Sequence, residues 1–471
     1  MRKTKIICTL GPASETEETI EQLCLAGMNV ARFNFSHGTH EWHKTVMDRV
    51  KKVREKLDLP IAIMLDTKGP EYRIGTFEHE KIELSDGDRF TFTVDEVTGN
   101  QERVSVSFKN LCEELVPGDL IYVNDGIVQF TVDEVCSPDI HCTVIAGGTI
   151  SNRKSMSFPG KVLHQEFLSE QDKDDLLFGI ENEVDFVAAS FVSTRADVDT
   201  MREFINAHGG GHIGIIAKIE NQSGVDNIYD ICKACGGIMV ARGDLGVEIP
   251  FKQVPARQKE LIDISRMLGR RVITATEMLE SMINKPRPTR AEISDVANAV
   301  YDGTSAVMLS GESASGKYPV RTVEVMAEIC EETEKHINYQ KQFHDANFVI
   351  VNNIDAISHS ACNMALATGA KAIAVCSLSG STVRMVSRFR PVADIVGLTT
   401  EPSEWRKLAL SWGVIPVLSE EYPSSEVVFY ESLKKTVKTL GLSKGDNVIL
   451  VGGSVSGASG ENNTIRLERV R

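Results

Sequence analysis

The chain has 471 residues, 42% hydrophobic and 25% charged, the balance of a folded globular protein long enough for more than one core. Its 51 basic and 66 acidic residues give a net charge of −15, which argues against nucleic acid and anionic membranes as partners. No run approaches the roughly 18 apolar residues of a spanning helix.

The opening Met1-Arg2-Lys3-Thr4-Lys5-Ile6-Ile7-Cys8-Thr9 reads as a strand, with an apolar run too short for a secretion signal. Ten cysteines, most in apolar surroundings such as Cys8, Cys142, Cys330 and Cys376, fit reduced core residues and a cytoplasmic location. Cys232 and Cys235 form a C-x-x-C, but no second pair or spaced histidines accompany it.

Apolar runs, each followed by a turn and a helical pattern, recur at Lys5–Leu10, Asn29–Phe33, Ile61–Leu65, Val184–Ala189, Ile213–Ile219, Ile238–Ala241, Arg271–Ala275 and Ala306–Leu309. The predicted helices between them include Thr16–Ala26, Trp42–Lys56, Glu170–Glu181 and Val254–Leu268. Eight β/α units are the count of a TIM (β/α)8 barrel, whose chemistry sits at the carboxyl ends of its strands.

The alternation breaks after the third run. Segments Lys81–Leu84, Arg89–Val94, Val104–Phe108 and Leu120–Val123, separated by turn signals, predict an inserted small β-barrel lid domain. From about residue 346 an open α/β domain follows: helix Ala356–Thr368, strand Ala370–Cys376, a hydroxyl-rich loop, helix Val383–Phe389, then strands Ile395–Leu398, Val414–Val417 and Asn447–Val451. The expected division is barrel 1–69 and 165–345, lid 70–164, and C-terminal α/β domain 346–471.

The polar clusters fall at strand ends. Lys218 and Glu220 project to one side of their strand, and Asp244 follows the next strand in Arg242-Gly243-Asp244-Leu245-Gly246. A lysine and two carboxylates converging there suit a divalent metal and an anionic substrate. The second strand ends in Arg32, Asn34 and Ser36 on one face, with Phe33 and Phe35 on the other. Asn34, Ser36, Asp66 and Thr67 offer oxygens to a hard cation, and Arg32 and Arg73 offer forks to a phosphate. Gly311–Lys317 imitates a P-loop, but Tyr318 stands where its Ser/Thr belongs. His37, His40 and His43 are spaced too widely around a helix to share one ion.

These segments together resemble pyruvate kinase across essentially the full length. The opening Thr4–Ser14 and the segments Asn34–Gly38, Leu65–Arg73, Lys218–Asn221, Met239–Pro250, Met278–Asn298 and Met308–Glu312 are similar to that family's signatures, in order. The resemblance implies phosphoryl transfer from phosphoenolpyruvate to ADP, giving pyruvate and ATP. It implies Glu220 and Asp244 as ligands of Mg²⁺ or Mn²⁺, and Asn34, Ser36, Asp66 and Thr67 as ligands of K⁺. Glu71 stands where the K⁺-dependent branch carries glutamate. Lys218, Arg32 and Thr276 are implied as catalytic. Arg32, Lys218, Gly243, Asp244 and Thr276 would bind phosphoenolpyruvate, and Asn34, His37, Arg73 and Lys154 are implied for the nucleotide; Arg32 would also face its phosphates.

Glu277, Ser305 and the stretch Ser155–Leu168, with His164 where an aspartate is expected, depart from the family pattern. Ser377, Ser379, Gly380, Ser381 and Thr382 resemble its effector-phosphate loop, with Ser456–Gly460 as a second wall; sugar phosphate or AMP is left open as the effector. A homotetramer is expected by family analogy. Two rival readings are a pyruvate-forming aldolase or lyase and a catalytically silent metabolite sensor. The nucleotide-facing clusters weigh against the first, and retention of Lys218, Glu220, Asp244 and Thr276 weighs against the second.

Overall fold

The computed structural model describes residues 1–161, 163, 166–346, 348–453 and 462–471; His164 and Ser456–Gly460 lie outside the described residues. Eight parallel strands close into a barrel, in the order Lys5–Thr9, Ala306–Leu309, Arg271–Ala275, Gly237–Ala241, Gly214–Ile219, Phe186–Ala189, Ala62–Asp66 and Val30–Asn34. Each of these strands is buried on both faces, which is why they read as apolar runs.

Alternate residues divide between two cores. Ile7, Val30, Met64, Ala188, Ile216 and Met239 share the smaller, inner cluster, while Cys8, Ala31, Leu65, Ala189 and Ala217 join the large cluster with the surrounding helices. The parity of the inner set, carried two residues further, brings Thr9, Arg32, Asp66, Ser190 and Lys218 to the inside at the carboxyl ends of the strands. Leu410 of the C-terminal domain also belongs to the inner cluster.

Helix Glu17–Ala26 is capped by Thr16, and helix His40–Leu57 by Thr39. A capping box of Ser169 and Asp172 starts helix Glu170–Glu181. Asp172 also accepts the Gly69 N–H at 3.0 Å, which ties the point where the chain leaves the barrel to the helix where it returns.

The insertion forms a seven-stranded sheet running from Tyr72–Arg73 to Arg103–Ser105, beside a two-stranded ribbon of Lys81–Leu84 and Gly148–Ser151. The two edges of the larger sheet meet through Gly75 N–H to Ser105 O (2.8 Å) and Ser107 N–H to Arg73 O (2.9 Å), with a bridge between Ile74 and Val106. That contact rolls the sheet around its own core of Phe90, Phe92, Phe130 and neighbours. The expected strand Val104–Phe108 is shorter, Arg103–Ser105, and a single helical turn, Leu111–Glu114, follows it.

The C-terminal sheet has the order Val414–Leu418, Asp394–Thr399, Ala372–Cys376, Asn447–Gly453 and Asn462–Arg469. The first four are parallel and the last is antiparallel. Helix Ser381–Arg388 begins two residues earlier than its apolar pattern suggests, because Gly380, at φ +66°, supplies the left-handed turn that starts it. No helix among the described residues is long and apolar enough to cross a membrane.

Candidate active site

Lys218 sits among acceptors at the barrel mouth. Its Nζ donates to Ser190 Oγ at 2.7 Å and lies 2.9 Å from Glu220 Oε1 and 3.1 Å from Asp66 Oδ1. Burial opposes its charge, but Asp66, Glu220 and Asp244 outweigh that and hold the ammonium above its ordinary pKa. Asp66 is fully buried and also receives Arg32 Nε at 2.6 Å. Burial alone would raise its carboxyl, yet Arg32 and Lys218 together keep it below the usual range. Arg32 is fixed a second time by donating to Thr9 Oγ1 at 2.8 Å.

Glu220 lies one residue beyond its strand and is also buried. Its Oε2 accepts the Phe191 N–H at 2.6 Å, and Phe191 holds a φ of +56°, an uncommon setting for a bulky side chain. Burial pushes the Glu220 carboxyl up to about 7; Lys218 opposes the shift and Asp244 adds to it. Asp244 is exposed in the first turn of helix Arg242–Glu248, the turn after the next strand. It lines a cleft of about 660 Å³ between barrel and lid, with Glu248, Phe191 and Asn221.

Two hard carboxylates on neighbouring strand ends fit Mg²⁺, which characteristically takes one or two protein carboxylates and leaves its other positions to substrate and water. Among the described residues, no group of three or more His, Cys, Asp or Glu is placed to hold a metal ion. For the monovalent cation, Asn34 and Asp66 are side by side in strand register. Ser36 donates its N–H to Asn34 Oδ1 at 3.1 Å, and Thr67 follows Asp66. The expected period-two stripe through Ser36 does not persist: the strand ends at Asn34, and Ser36 lies exposed in the following turn.

Thr276 stands opposite. Its Oγ1 accepts the Gly243 N–H at 2.8 Å and donates to Ala275 O at 2.7 Å, with its backbone at φ +70°. Arg242 braces this corner, donating to Thr276 O at 2.6 Å and Ala275 O at 3.2 Å while pairing with Asp295 at 2.7 Å. Neither Ser190 nor Arg242 was among the site residues read from sequence. Ser190 follows its strand with no motif around it; Arg242 was visible only as the first residue of the Gly243-Asp244 run.

Of the nucleotide residues, Arg73 and Lys154 line the cleft. Arg73 donates to Arg153 O at 2.6 Å and pairs with Glu71 at 2.5 Å. Asn34 and His37 are not among the cleft's lining residues. The His37 carbonyl meets His43 Nε2 at 2.9 Å, and His40 pairs instead with Asp175 at 2.6 Å, so the His40 and His43 rings have different partners. Of the departures noted in the sequence, Ser305 takes no part in this corner. It lies at the barrel base, accepting the Val272 N–H and Arg390. Glu277 is exposed.

Known proteins carry the same pattern. Residues 1–323 match the family model described as pyruvate kinase, barrel domain, and residues 355–468 match pyruvate kinase, alpha/beta domain. The chain belongs to the pyruvate kinase family.

A pyruvate kinase of Clostridium acetobutylicum is 44% identical over 472 residues, covering all of both chains. One from Staphylococcus aureus is 42% identical, covering all of this chain and 81% of its own. A crystal structure of a pyruvate kinase from Cryptosporidium parvum superimposes with a TM-score of 0.95 at 38% identity, covering 100% of this chain and 96% of that one.

The pyruvate kinase effector loop expected at Ser377–Thr382 is a compact turn. Ser379 Oγ donates to Ser381 Oγ at 3.1 Å, and Arg384 donates to Ser379 O and Ser381 Oγ at 3.0 and 3.1 Å. The buried Thr382 hydroxyl has no hydrogen-bond partner among the described residues.

Proposed function

We propose that Lys218, Arg32, Thr276, Glu220 and Asp244 carry the pyruvate kinase reaction at this barrel mouth. As a member of the family, the chain transfers the phosphoryl group of phosphoenolpyruvate to ADP, giving pyruvate and ATP. The observation that carries the residue assignment is the buried Lys218 ammonium, held between two carboxylates at the inner ends of the strands.

Lys218 and Arg32 steady negative charge on the transferring phosphoryl group; such catalysis rests on positioning and electrostatics. The Asp244 backbone N–H, joined by that of Gly243 when the substrate carboxylate displaces its bond to Thr276 Oγ1, holds that carboxylate at the start of helix Arg242–Glu248. Thr276, so released and still placed by its backbone beside Gly243, directs the proton needed at the enolate carbon. Asp66 sets the orientation of both cationic side chains. Mg²⁺ or Mn²⁺, held by Glu220 and Asp244, supplies charge neutralisation on substrate oxygens when bound. K⁺ is assigned to Asn34, Ser36, Asp66 and Thr67. Arg73 and Lys154 face the nucleotide phosphates from the lid side of the cleft, and Asn34 and His37, on the barrel beyond its lining, complete the nucleotide set.

The lid, residues 70–164, hinges over the barrel segments 1–69 and 165–345. The domain 346–471 takes a phosphorylated effector, a sugar phosphate or AMP, at Ser377, Ser379, Gly380, Ser381 and Thr382. The working form is a cytoplasmic homotetramer, by analogy with the family. ADP-dependent pyruvate formation, measured with and without Mg²⁺ and K⁺, tests the reading. Pyruvate released without ADP would support the lyase alternative and overturn it.

A further inference from the structure

The Lys218 ammonium has three protons and, at this barrel mouth, three acceptors: Asp66, Glu220 and Ser190. Two of them are carboxylates, which neutralise its charge. Ser190 is the neutral one, and its 2.7 Å bond is the shortest of the set. A hydroxyl adds little to the charge balance between two carboxylates, so what it contributes is the place at which it holds the nitrogen.

Ser190 is buried one residue beyond strand Phe186–Ala189, on the inward parity of Phe186 and Ala188. Its own orientation is fixed from several sides. The hydroxyl donates to Thr67 O at 2.6 Å; Asp66 Oδ1, the other acceptor in reach, stands at 3.4 Å. With its single proton committed to Thr67, the oxygen turns its lone pairs to Lys218. The Ser190 N–H donates to Thr67 Oγ1 at 3.1 Å, and the Thr67 N–H donates to Ala188 O at 3.0 Å. Gly69, at φ +70°, then passes so close that a Cβ there would lie 2.6 Å from the Ser190 Cβ. Strands Ala62–Asp66, Phe186–Ala189 and Gly214–Ile219 are neighbours in the barrel, so this one hydroxyl locks the ends of all three together.

We propose, resting on the assignment of Lys218 to the reaction, that Ser190 is a positioning residue for phosphoryl transfer: its hydroxyl, aimed by Thr67, sets where the Lys218 ammonium stands in the barrel mouth. Without the hydroxyl the ammonium keeps only its two anionic partners. It settles toward them, and the geometry in which it meets the phosphoryl oxygens is lost. The charge of the site is unchanged, so the substrate still binds and the loss falls on the chemical step. A serine that served only to satisfy the Thr67 carbonyl would act on the fold and not through Lys218.

The test is a double-mutant cycle on turnover of the full-length protein, using Ser190→Ala, Lys218→Met and the double variant, each checked for folding by thermal unfolding. Ser190→Ala lowers kcat by roughly tenfold to a hundredfold, the loss that follows misplacement of a reacting group by about an ångström, and changes KM for phosphoenolpyruvate by less than about threefold. In the Lys218→Met background the same substitution changes kcat by less than about threefold, because no ammonium is left to place. Ser190→Cys, which keeps much of the side chain's shape with a weaker acceptor, falls between the parent and Ser190→Ala, and it carries the cycle if the alanine variant does not fold. Turnover of Ser190→Ala within about threefold of the parent, a loss confined to KM, or an equal fold-loss in both backgrounds would overturn the role of Ser190 while leaving Lys218 in the mechanism. Near-parent turnover of Lys218→Met would remove both residues from it.

Discussion

Replacing Lys218 by methionine removes the ammonium from between two buried carboxylates. At 2.9 Å from Glu220 and 3.1 Å from Asp66, each attraction is about 5 kcal/mol gross at the effective dielectric suited to such sites. Desolvation of the ammonium offsets much of that, so the change appears mainly as redistributed charge. Asp66 keeps Arg32. Glu220 keeps only the Phe191 N–H, and its carboxyl, already pushed up to about 7, rises further. Turnover should fall by roughly 10²–10³-fold, the loss associated with one preorganised electrostatic group. Binding of Mn²⁺ should survive, with its pH profile displaced to higher pH because the ligand carboxyl surrenders its proton later. Coupled pyruvate formation reads the first effect, and Mn²⁺ titration followed by electron paramagnetic resonance across neutral pH reads the second. Turnover within tenfold of the parent, together with an unshifted Mn²⁺ profile, would remove Lys218 from the mechanism.

Glu71→Lys should weaken the K⁺ requirement by placing an ammonium near the cation's position. The carboxylate it replaces now pairs with Arg73, and its buried Oε2 has no hydrogen-bond partner among the described residues. An unchanged K⁺ titration of activity would count against the cation assignment. His43 gives a pH prediction. Burial lowers its imidazole to about 4, against the pull of the His37 carbonyl, while an unfolded histidine titrates near 6.5. Between those values the unfolded chain binds more protons, so the contribution is complete above about pH 6.5 and is lost as pH falls towards 4. Discounted for relaxation of the surroundings when the ring charges, it amounts to roughly 2 kcal/mol. His43→Gln should flatten the acid limb of a urea-midpoint profile, and an unaltered limb would refute the assignment.

The barrel was legible because a parallel strand covered on both sides carries an unbroken apolar run, as Ile238–Ala241 and Ala306–Leu309 do. Strand Asn462–Arg469 escaped because Ile465 and Leu467 alternate with Arg466 and Glu468 along an edge, leaving no continuous run. The hairpin Val128–Cys136 and Asp139–Ala146 was missed for a related reason: its polar positions face water on one side of the lid. The charged members of the site could be read because Lys218, Glu220 and Asp244 interrupt apolar sequence at strand ends. Ser190 could not, since its importance arises only when barrel closure brings its hydroxyl to Lys218. Arg242 braces Thr276 across 34 residues of chain, a contact that no local spacing encodes. The stripe through Ser36 failed at the strand's last residue, where the backbone turns and side-chain alternation stops.

The most direct measurement of the central claim is a crystal structure with Mn²⁺ bound, the ion located by its anomalous scattering. One ion is expected, held by a Glu220 oxygen and an Asp244 oxygen, each at about 2.1 Å, with the Lys218 ammonium beside it and contacting neither ligand's metal-bound oxygen more closely than the ion does. An ion held by only one of the two carboxylates, or bound elsewhere in the cleft, would contradict it.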